Sequence, residues 1–313
     1  MKRIFELSSK DFATLEKRAI LSTVKSSEGR TVMAEVVVTA PPLIYGVSGL
    51  EIAAAFGADM ITLNLFDFEN PFIFGIDEIN LDVGVQAFSM FEQKIRENRG
   101  NPDYIKEIKS ITGRFIGVNL EPVPEEINYP EGRKLKAENL IKAKESGFDY
   151  ILITGNPNTG VTHKTILDGI EEASKLIGDK VTIMAGKMHA AGGENIYDTS
   201  LLKDFIKAGA DVVLIPAPGT VPGMDQDTAR RQIETIHESG ALALTAIGTS
   251  QESSGEHVIE QIALMSKMAG ADIQHIGDAG YCGVAFPENV MALSIAIRGK
   301  RHTYRRMAYS LKR

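Results

Sequence analysis

A glycine followed by a short run of apolar residues recurs along the whole chain, as in FGADMITLNL, SGFDYILITG, AGADVVLIPA and AGADIQHIGD. Successive leading glycines are about 30 residues apart, except for one interval of 56 between the second and the third. The runs are apolar without alternation, which is the pattern of strands covered on both faces. The eight leading glycines are Gly29, Gly57, Gly113, Gly147, Gly178, Gly209, Gly240 and Gly270.

Between the runs lie polar or Gly/Pro-rich loops and then amphipathic segments, so each unit reads as a strand, a loop and a helix. In GEHVIEQIALMSKMAG, for example, Val258, Ile262 and Met265 recur at helical spacing. The glycine that ends each helix is expected to leave it in a left-handed conformation. Eight such units predict an α/β fold, a (β/α)8 TIM barrel. The competing interpretation is an open doubly wound sheet, but no GxGxxG motif follows the first strand.

Two segments lie outside the eight units of this single predicted domain of 313 residues. Residues 1–28 are predicted to be an N-terminal helical extension, with one helix over 8–25 that covers the bottom of the barrel. The barrel itself is assigned to residues 29–297. Residues 298–313 are predicted to form a basic C-terminal helical tail, which packs on a partner subunit or a local surface.

Charge and composition narrow the function classes. The chain has 34 basic and 41 acidic residues, a formal charge of −7, and removing the +7 of the tail leaves −14 for the remainder. A body of this charge predicts no binding to nucleic acid or to an anionic membrane. The single cysteine, Cys282, excludes an intramolecular disulfide. We therefore expect a cytoplasmic protein without a signal peptide or spanning segment, with a homo-oligomer as one option for its assembly.

The active site of such a barrel is built by the loops after the strands. Lys187 and His189 lie in the loop after the fifth strand, AGKMHAAGG, and Glu121 ends the third strand. A lysine forms an imine or stabilises an oxyanion, while a histidine and a carboxylate transfer protons. These three are the predicted catalytic residues. The alternatives are a solvated lysine, a histidine bonded to a neighbouring loop, and a glutamate that caps or pairs.

The loops after the seventh and eighth strands are rich in glycine and hydroxyl groups, the composition of a phosphate cradle. Asp278 within it would repel an anion, and the alternative is a pair of tight turns. The predicted anion-binding residues are Gly248, Thr249, Ser250, Gly277, Asp278 and Gly280.

Three asparagines near strand ends, Asn64, Asn119 and Asn156, are candidate substrate-binding residues. Glu35 within the first strand is expected to be catalytic or to form a buried interstrand pair, with Lys187 as the candidate partner. His275, His189 and Glu121 make a conceivable zinc set, but they lack the short spacing of zinc ligands. The metal site is therefore left unknown, no cofactor is predicted, and Mg²⁺ remains possible.

The segments GNPNTGVTHKTI, AGKMHAAGGENIYDTS, IPAPGTVPGMDQD and GDAGYCGVAFPENVMALSIAIRGKRHTYRRMA together resemble an uncharacterised family of bacterial (β/α)8-barrel proteins. The resemblance covers the chain from about Thr31 onward and is accompanied by a looser similarity to phosphate-binding TIM barrels. The first strand, AEVVVTAPP, lacks the Asp-x-Asp motif of haloacid-dehalogenase-like hydrolases. The metal-binding aspartates and cysteine loop of the phosphoenolpyruvate mutase and isocitrate lyase group are not recognisable either.

The sequence thus predicts an enzyme that acts on a small anionic metabolite, phosphorylated or carboxylated, by lyase, aldolase or isomerase chemistry. Two alternatives stay open, a non-catalytic phosphosugar-binding regulatory protein and a hydrolase of unknown substrate.

Overall fold

Eight parallel strands pair in chain order and close into a barrel, with β8 beside β1, which confirms the predicted fold. The structure, a computed structural model, describes residues 2–77, 79, 84, 86–156, 159–188 and 195–312. The strands are β1 (Thr31–Val37), β2 (Met60–Asn64), β3 (Phe115–Leu120), β4 (Tyr150–Ile153), β5 (Thr182–Gly186), β6 (Val212–Pro216), β7 (Leu242–Ile247) and β8 (Ile273–Ile276).

Helices surround the barrel and close its bottom, which is the end where the strands begin. Within the described ranges no helix is both long and apolar enough to cross a membrane. The helices are α1 (Ser9–Thr14), α2 (Lys17–Lys25), α3 (Gly49–Ala55), α4 (Gln86–Gly100), α5 (Tyr104–Thr112), α6 (Ala137–Ser146), α7 (His163–Ile177), α8 (Thr199–Ala208), α9 (Gln226–Glu238), α10 (Glu256–Ala269) and α11 (Pro287–Met307).

Each leading glycine lies just before its strand. Seven of the eight have positive φ, as expected for a chain leaving a helix, with Gly113 at 62° and Gly270 at 108°. Gly178 is the exception, since its φ is −61°. A Cβ atom at Gly178 would lie 2.5 Å from the carbonyl oxygen of Ser174, so close approach explains this glycine.

Alternation along the strands decides which side chains enter the barrel. In β1, Met33 belongs to the interior cluster, whereas Val32 and Ala34 pack between sheet and helices. The interior is filled from the bottom by Met33, Met60, Phe115, Tyr150, Leu152, Met184, Val212, Leu214, Leu242, Leu244 and Ile273. Near its centre Tyr150 and Thr62 share a hydrogen bond of 2.9 Å. A Cβ atom at Gly117 would lie 2.1 Å from the Tyr150 ring, so the glycine makes room for it.

A structural role explains the acidic residue in the repeat GAD or GFD. At the start of each even-numbered strand, an aspartate carboxylate accepts the backbone N–H of a residue in the preceding strand, at 2.8–3.0 Å. Each carboxylate also lies within 3.0 Å of a basic side chain. The repeat therefore links neighbouring strands at four points around the bottom of the barrel. The pairs are Asp59 with Arg298 and Arg306, Asp149 with Lys109, Asp211 with Lys17, and Asp272 with His237.

The N-terminal extension closes the bottom of the barrel, where Phe5, Phe12 and Ile20 pack with the interior cluster. The prediction of one helix over 8–25 was wrong in detail. Leu15 and Glu16 are extended and divide it into α1 and α2. Ser8 caps α1 with a reciprocal bond to Asp11, which favours a separate short helix.

The tail differs from a solvated helix because two of its arginines are buried. Arg298 and Arg306 are 6% and 1% exposed and lie 2.6 and 3.0 Å from the carboxylate of Asp59. Arg306 also donates to the carbonyl of Leu7, 3.1 Å away. A third buried guanidinium, that of Arg114, donates to carbonyl oxygens at the ends of α3 and α5. Two of the seven basic residues of the tail are therefore used inside the chain.

Candidate active site

The lumen becomes polar at the top of the barrel, on the side formed by β8, β1, β2 and β3. Alternation from the interior residues points Glu35, Asn64, Asn119 and His275 into the lumen. All four are buried. Buried polar groups are costly unless they bond to one another or to a ligand, so this layer is the first place to look for chemistry.

Glu35 is the centre of this layer. Its Oε1 accepts a hydrogen bond from the amide Nδ2 of Asn119, and its Oε2 lies 3.2 Å from Nε2 of His275. Glu35 and His275 are 1% and 0% exposed. Glu35 is therefore paired with a histidine of the neighbouring strand rather than with Lys187, the partner considered from the sequence, which makes a carboxylate–imidazole pair at the barrel mouth.

Asp278, from the loop after β8, joins the layer through Asn64, whose Nδ2 donates to Oδ2 at 2.6 Å. Burial raises the pKa of Asp278 to about 7, and the negative charge of Glu35 adds to this rise. The hydrogen bond from Asn64 acts in the opposite direction. A carboxyl group that titrates near neutrality can accept and donate protons at working pH.

Glu252, in the turn after β7, brings a third carboxylate to the layer. The side chain is 3% exposed, and burial raises its pKa. Its Oε1 accepts the backbone N–H of Ala279 at 3.3 Å, and a Cβ atom at Gly277 would lie 2.8 Å from that oxygen. The Glu252 carboxylate thus accepts a backbone N–H of the loop that the sequence predicted to bind an anion.

The remaining members of the predicted cradle have identifiable local roles. Thr249 and Ser250 adopt positive φ angles of 56° and 76°, and the hydroxyl of Thr249 donates to the carbonyl of Thr220 at 2.5 Å. A Cβ atom at Gly280 would lie 2.0 Å from the carbonyl oxygen of Val284. Of the five non-glycine residues with positive φ in the described chain, four lie in mouth loops; they are Leu65, Thr249, Ser250 and Cys282. Strained backbone is concentrated where sites are built. The binding of an anion by this cradle stays a prediction.

Lys187 lies in the loop that follows β5 and is directed toward the neighbouring mouth loop, which follows β4. By strand alternation Lys187 lies on the same side of the sheet as Ile183 and Ala185, which pack toward the helices. Met188, the next residue, packs against the interior cluster. The Nζ of Lys187 donates to the carbonyl of Val161 at 3.1 Å. The lysine is therefore directed toward the loop before α7, and its catalytic role stays a prediction. His189, its predicted partner, lies outside the described residues.

Glu121 is buried and links two mouth loops. Its carboxylate accepts from the hydroxyl of Tyr129 at 2.6 Å and from the backbone N–H of Asn156 at 2.9 Å, and the Asn156 amide donates to it as well. Burial and this carboxylate raise the pKa of Tyr129. The structure thus joins two predicted site residues, Glu121 and Asn156, in a loop-fixing role, and proton transfer by Glu121 stays a prediction.

The donor side chains of the mouth bear on metal binding. Within the ranges that the structure describes, no group of three or more His, Cys, Asp or Glu side chains is arranged to hold a metal ion. His275 is engaged with Glu35, and Glu121 with Tyr129 and Asn156. Mg²⁺ binding therefore remains an expectation from the sequence.

Sequence reasoning missed Glu252, and it placed Asp278 among the anion-binding residues although its charge would repel an anion. Neither residue lies in a strand, so strand alternation gave no signal for it. A carboxylate in each of two loops that follow adjacent strands is a signal that was available, since such loops meet at one end of a barrel.

The chain matches one described protein family over nearly its whole length. Residues 5–313 match the family described as a domain of unknown function, DUF7916, so the chain belongs to that family. A search of curated protein sequences found no significant match.

Similar solved structures share the barrel at low sequence identity. A 2,3-dimethylmalate lyase, described as a PEP mutase/isocitrate lyase superfamily member, has 15% identity and a TM-score of 0.47 over 84% of this chain and 81% of that one. A putative lyase/mutase from Burkholderia cenocepacia has 16% identity and a TM-score of 0.48 over 85% and 82%. A thiamine phosphate pyrophosphorylase from Pyrococcus furiosus has 12% identity and a TM-score of 0.44 over 87% and 98%. These values make them similar in fold only.

Proposed function

We propose that this member of the DUF7916 family is an enzyme of the lyase or isomerase type that transfers protons to and from a small metabolite at the barrel mouth. The observation that carries the proposal is Asp278, a partly buried carboxyl group with a pKa near 7 that is hydrogen-bonded to Asn64 beside the Glu35–His275 pair. Two acid–base groups with different environments are what proton abstraction and return require.

The roles follow from the contacts. Asp278 exchanges the proton, because its pKa is near neutrality. His275, whose Nε2 lies 3.2 Å from the Glu35 carboxylate, is the second proton carrier. Asn64 and Asn119 hold the two carboxylates in place through their amide groups.

The catalytic roles expected for Lys187, His189 and Glu121 are part of the same proposal but rest on sequence alone. The rival, a regulatory protein that only binds a phosphosugar, needs a positive or neutral cradle. Two carboxylates, Glu252 and Asp278, in the loops of that cradle favour the enzyme.

Proton transfer can be tested before the substrate is identified. The intact protein is incubated in D2O with pools of small carboxylic acids, amino acids, amines, sugars and sugar phosphates, and proton NMR detects loss of a carbon-bound hydrogen. We expect exchange in at least one compound and a loss of a hundredfold or more in Asp278→Asn, the size typical of a general acid–base group.

The controls separate catalysis from folding. Glu260→Gln makes a charge-removing change on the exposed face of α10 and is expected to leave exchange unchanged. Lys187→Met tests the role that the sequence gave to that lysine. Exchange that is the same in Asp278→Asn and in the wild type, with both proteins folded, refutes the proposal.

A further inference from the structure

The acidic character of the mouth indicates the charge of its ligand. We define the mouth cluster as Glu35, Asn119, Glu252, His275 and Asp278. Glu35 and Glu252 both raise the pKa of Asp278, despite the opposing effect of His275. The three carboxylates therefore interact electrostatically. In their partly buried surroundings this interaction favours the binding of a positively charged group.

Besides the two ring nitrogens of His275, two acceptors of this cluster have no hydrogen-bond partner among the described residues. They are Oδ1 of Asn119 and Oε2 of Glu252. Both side chains are buried, at 5% and 3% exposure. The other ends of these side chains are fixed, since Asn119 donates to Glu35 and Glu252 accepts from Ala279. Fixed acceptors that lack donors in a buried site are completed by a ligand that donates hydrogen bonds.

We propose that the mouth cluster binds a primary ammonium group of the ligand, with Glu252 and Asn119 as its acceptors. An ammonium group supplies three donors and one positive charge, which suits acceptors that include carboxylates. A divalent metal ion fits less well, because no group of three ligating side chains in the described part of the chain has metal geometry. A phosphate group would instead face three carboxylates.

This inference names the substrate class of the proposed enzyme, so it rests on the same site. It replaces the expected phosphorylated or carboxylated group at this position by an amine. The reaction that we propose there does not enter the binding test, so the two ideas can fail separately.

The test uses ethanolamine, with ethylene glycol as the matched compound that carries a hydroxyl in place of the ammonium group. Inorganic phosphate and MgCl2 are the other probes. Chemical-shift changes of the labelled protein and its melting temperature are recorded as each is titrated. We expect saturable binding of ethanolamine with a rise in melting temperature, and no such binding of ethylene glycol or phosphate.

Variants assign the binding to the cluster. Glu252→Gln is expected to weaken ethanolamine binding at least tenfold, and Glu260→Gln on the exposed face of α10 to leave it unchanged. Asp278→Asn serves as the second variant if Glu252→Gln does not fold, and the same weakening is expected. Equal affinity in a folded cluster variant, no binding of ethanolamine at tens of millimolar, or preferential binding of phosphate or Mg²⁺ overturns the inference.

Discussion

Replacing Asp59 by asparagine tests the four-point linkage at the bottom of the barrel. The Asp59 carboxylate accepts the N–H of Val32 at 3.0 Å and lies 2.6 Å from Arg298 and 3.0 Å from Arg306. An asparagine in its place would keep the volume and one acceptor for Val32. The substitution would remove the negative charge and leave two buried guanidinium groups without a counter-charge.

The magnitude follows from burial. Removing one partner of a buried ion pair lowers the free energy of unfolding by about 3–5 kcal/mol. Backbone carbonyl oxygens, including those of Gly57 and Leu7, also accept hydrogen bonds from the two arginines. The guanidinium groups would therefore keep part of their hydrogen bonding without the carboxylate. We therefore expect a loss near the lower end of that range, about 3 kcal/mol in the free energy of unfolding.

The other aspartates of the repeat are matched controls. Asp211 and Lys17 are partly exposed, at 19% and 14% of their side chains, so Asp211→Asn is expected to cost about 1 kcal/mol or less. Burial raises the pKa of Asp149 to about 6 despite Lys109, so its ionised form is already disfavoured and Asp149→Asn should also cost little, about 1 kcal/mol.

Urea unfolding at pH 8, above the raised pKa of Asp149, measures all three variants by circular dichroism. The slopes of the transitions must agree for the midpoints to be compared as stabilities. A loss for Asp59→Asn no larger than that for Asp211→Asn would show that the buried arginines do not depend on the carboxylate, and the reasoning would be refuted.

Three further changes test other parts of the fold. Gly117→Ala should destabilise by about 1–3 kcal/mol or more in urea unfolding, because its Cβ would lie 2.1 Å from the Tyr150 ring; an unchanged midpoint would contradict this packing. The hydrogen bond to Asp272 raises the pKa of His237, so this pair stabilises below about pH 6.5 and its contribution is lost as the pH rises through the folded-state value. Since the histidine is half-exposed, His237→Gln should remove less than about 1 kcal/mol, and only on the acidic side; an equal loss at pH 5.5 and 8.5 would contradict the assignment. Deletion of 300–313 should destabilise strongly because it removes a buried arginine, and a truncated chain with wild-type stability in the same urea assay would show that the tail is dispensable.

The barrel could be predicted because its signals are local and repeated. Each strand is mostly apolar and the helix before each strand ends within a few residues of a glycine, so periodicity locates all eight units without tertiary information. The break between α1 and α2 was not predictable from apolar spacing, since Leu15 and Glu16 suit a helix by propensity. There the packing of the extension under the barrel decides the conformation.

The candidate site was only partly predictable, because it depends on direction and on pairs between distant segments. Asn64 and Asn119 were identified from their positions at strand ends, and the structure places both in the polar layer. Lys187 was assigned to the mouth, and its side chain bonds to the mouth loop before α7 rather than entering the polar layer around Glu35. The contact between Glu35 and His275 depends on the register of β1 against β8. These two strands lie near opposite ends of the sequence and pair where the barrel closes.

The protonation of Asp278 is the property on which the proposed function depends most directly. Infrared difference spectra of the wild type and Asp278→Asn, recorded from pH 4 to 9, isolate the C=O band of its protonated carboxyl group. We expect this band to persist through pH 6 and to disappear around pH 7, as burial and the charge of Glu35 require. A band that is lost below pH 5 would show an ordinary surface-like carboxylate and would contradict acid–base chemistry at the barrel mouth.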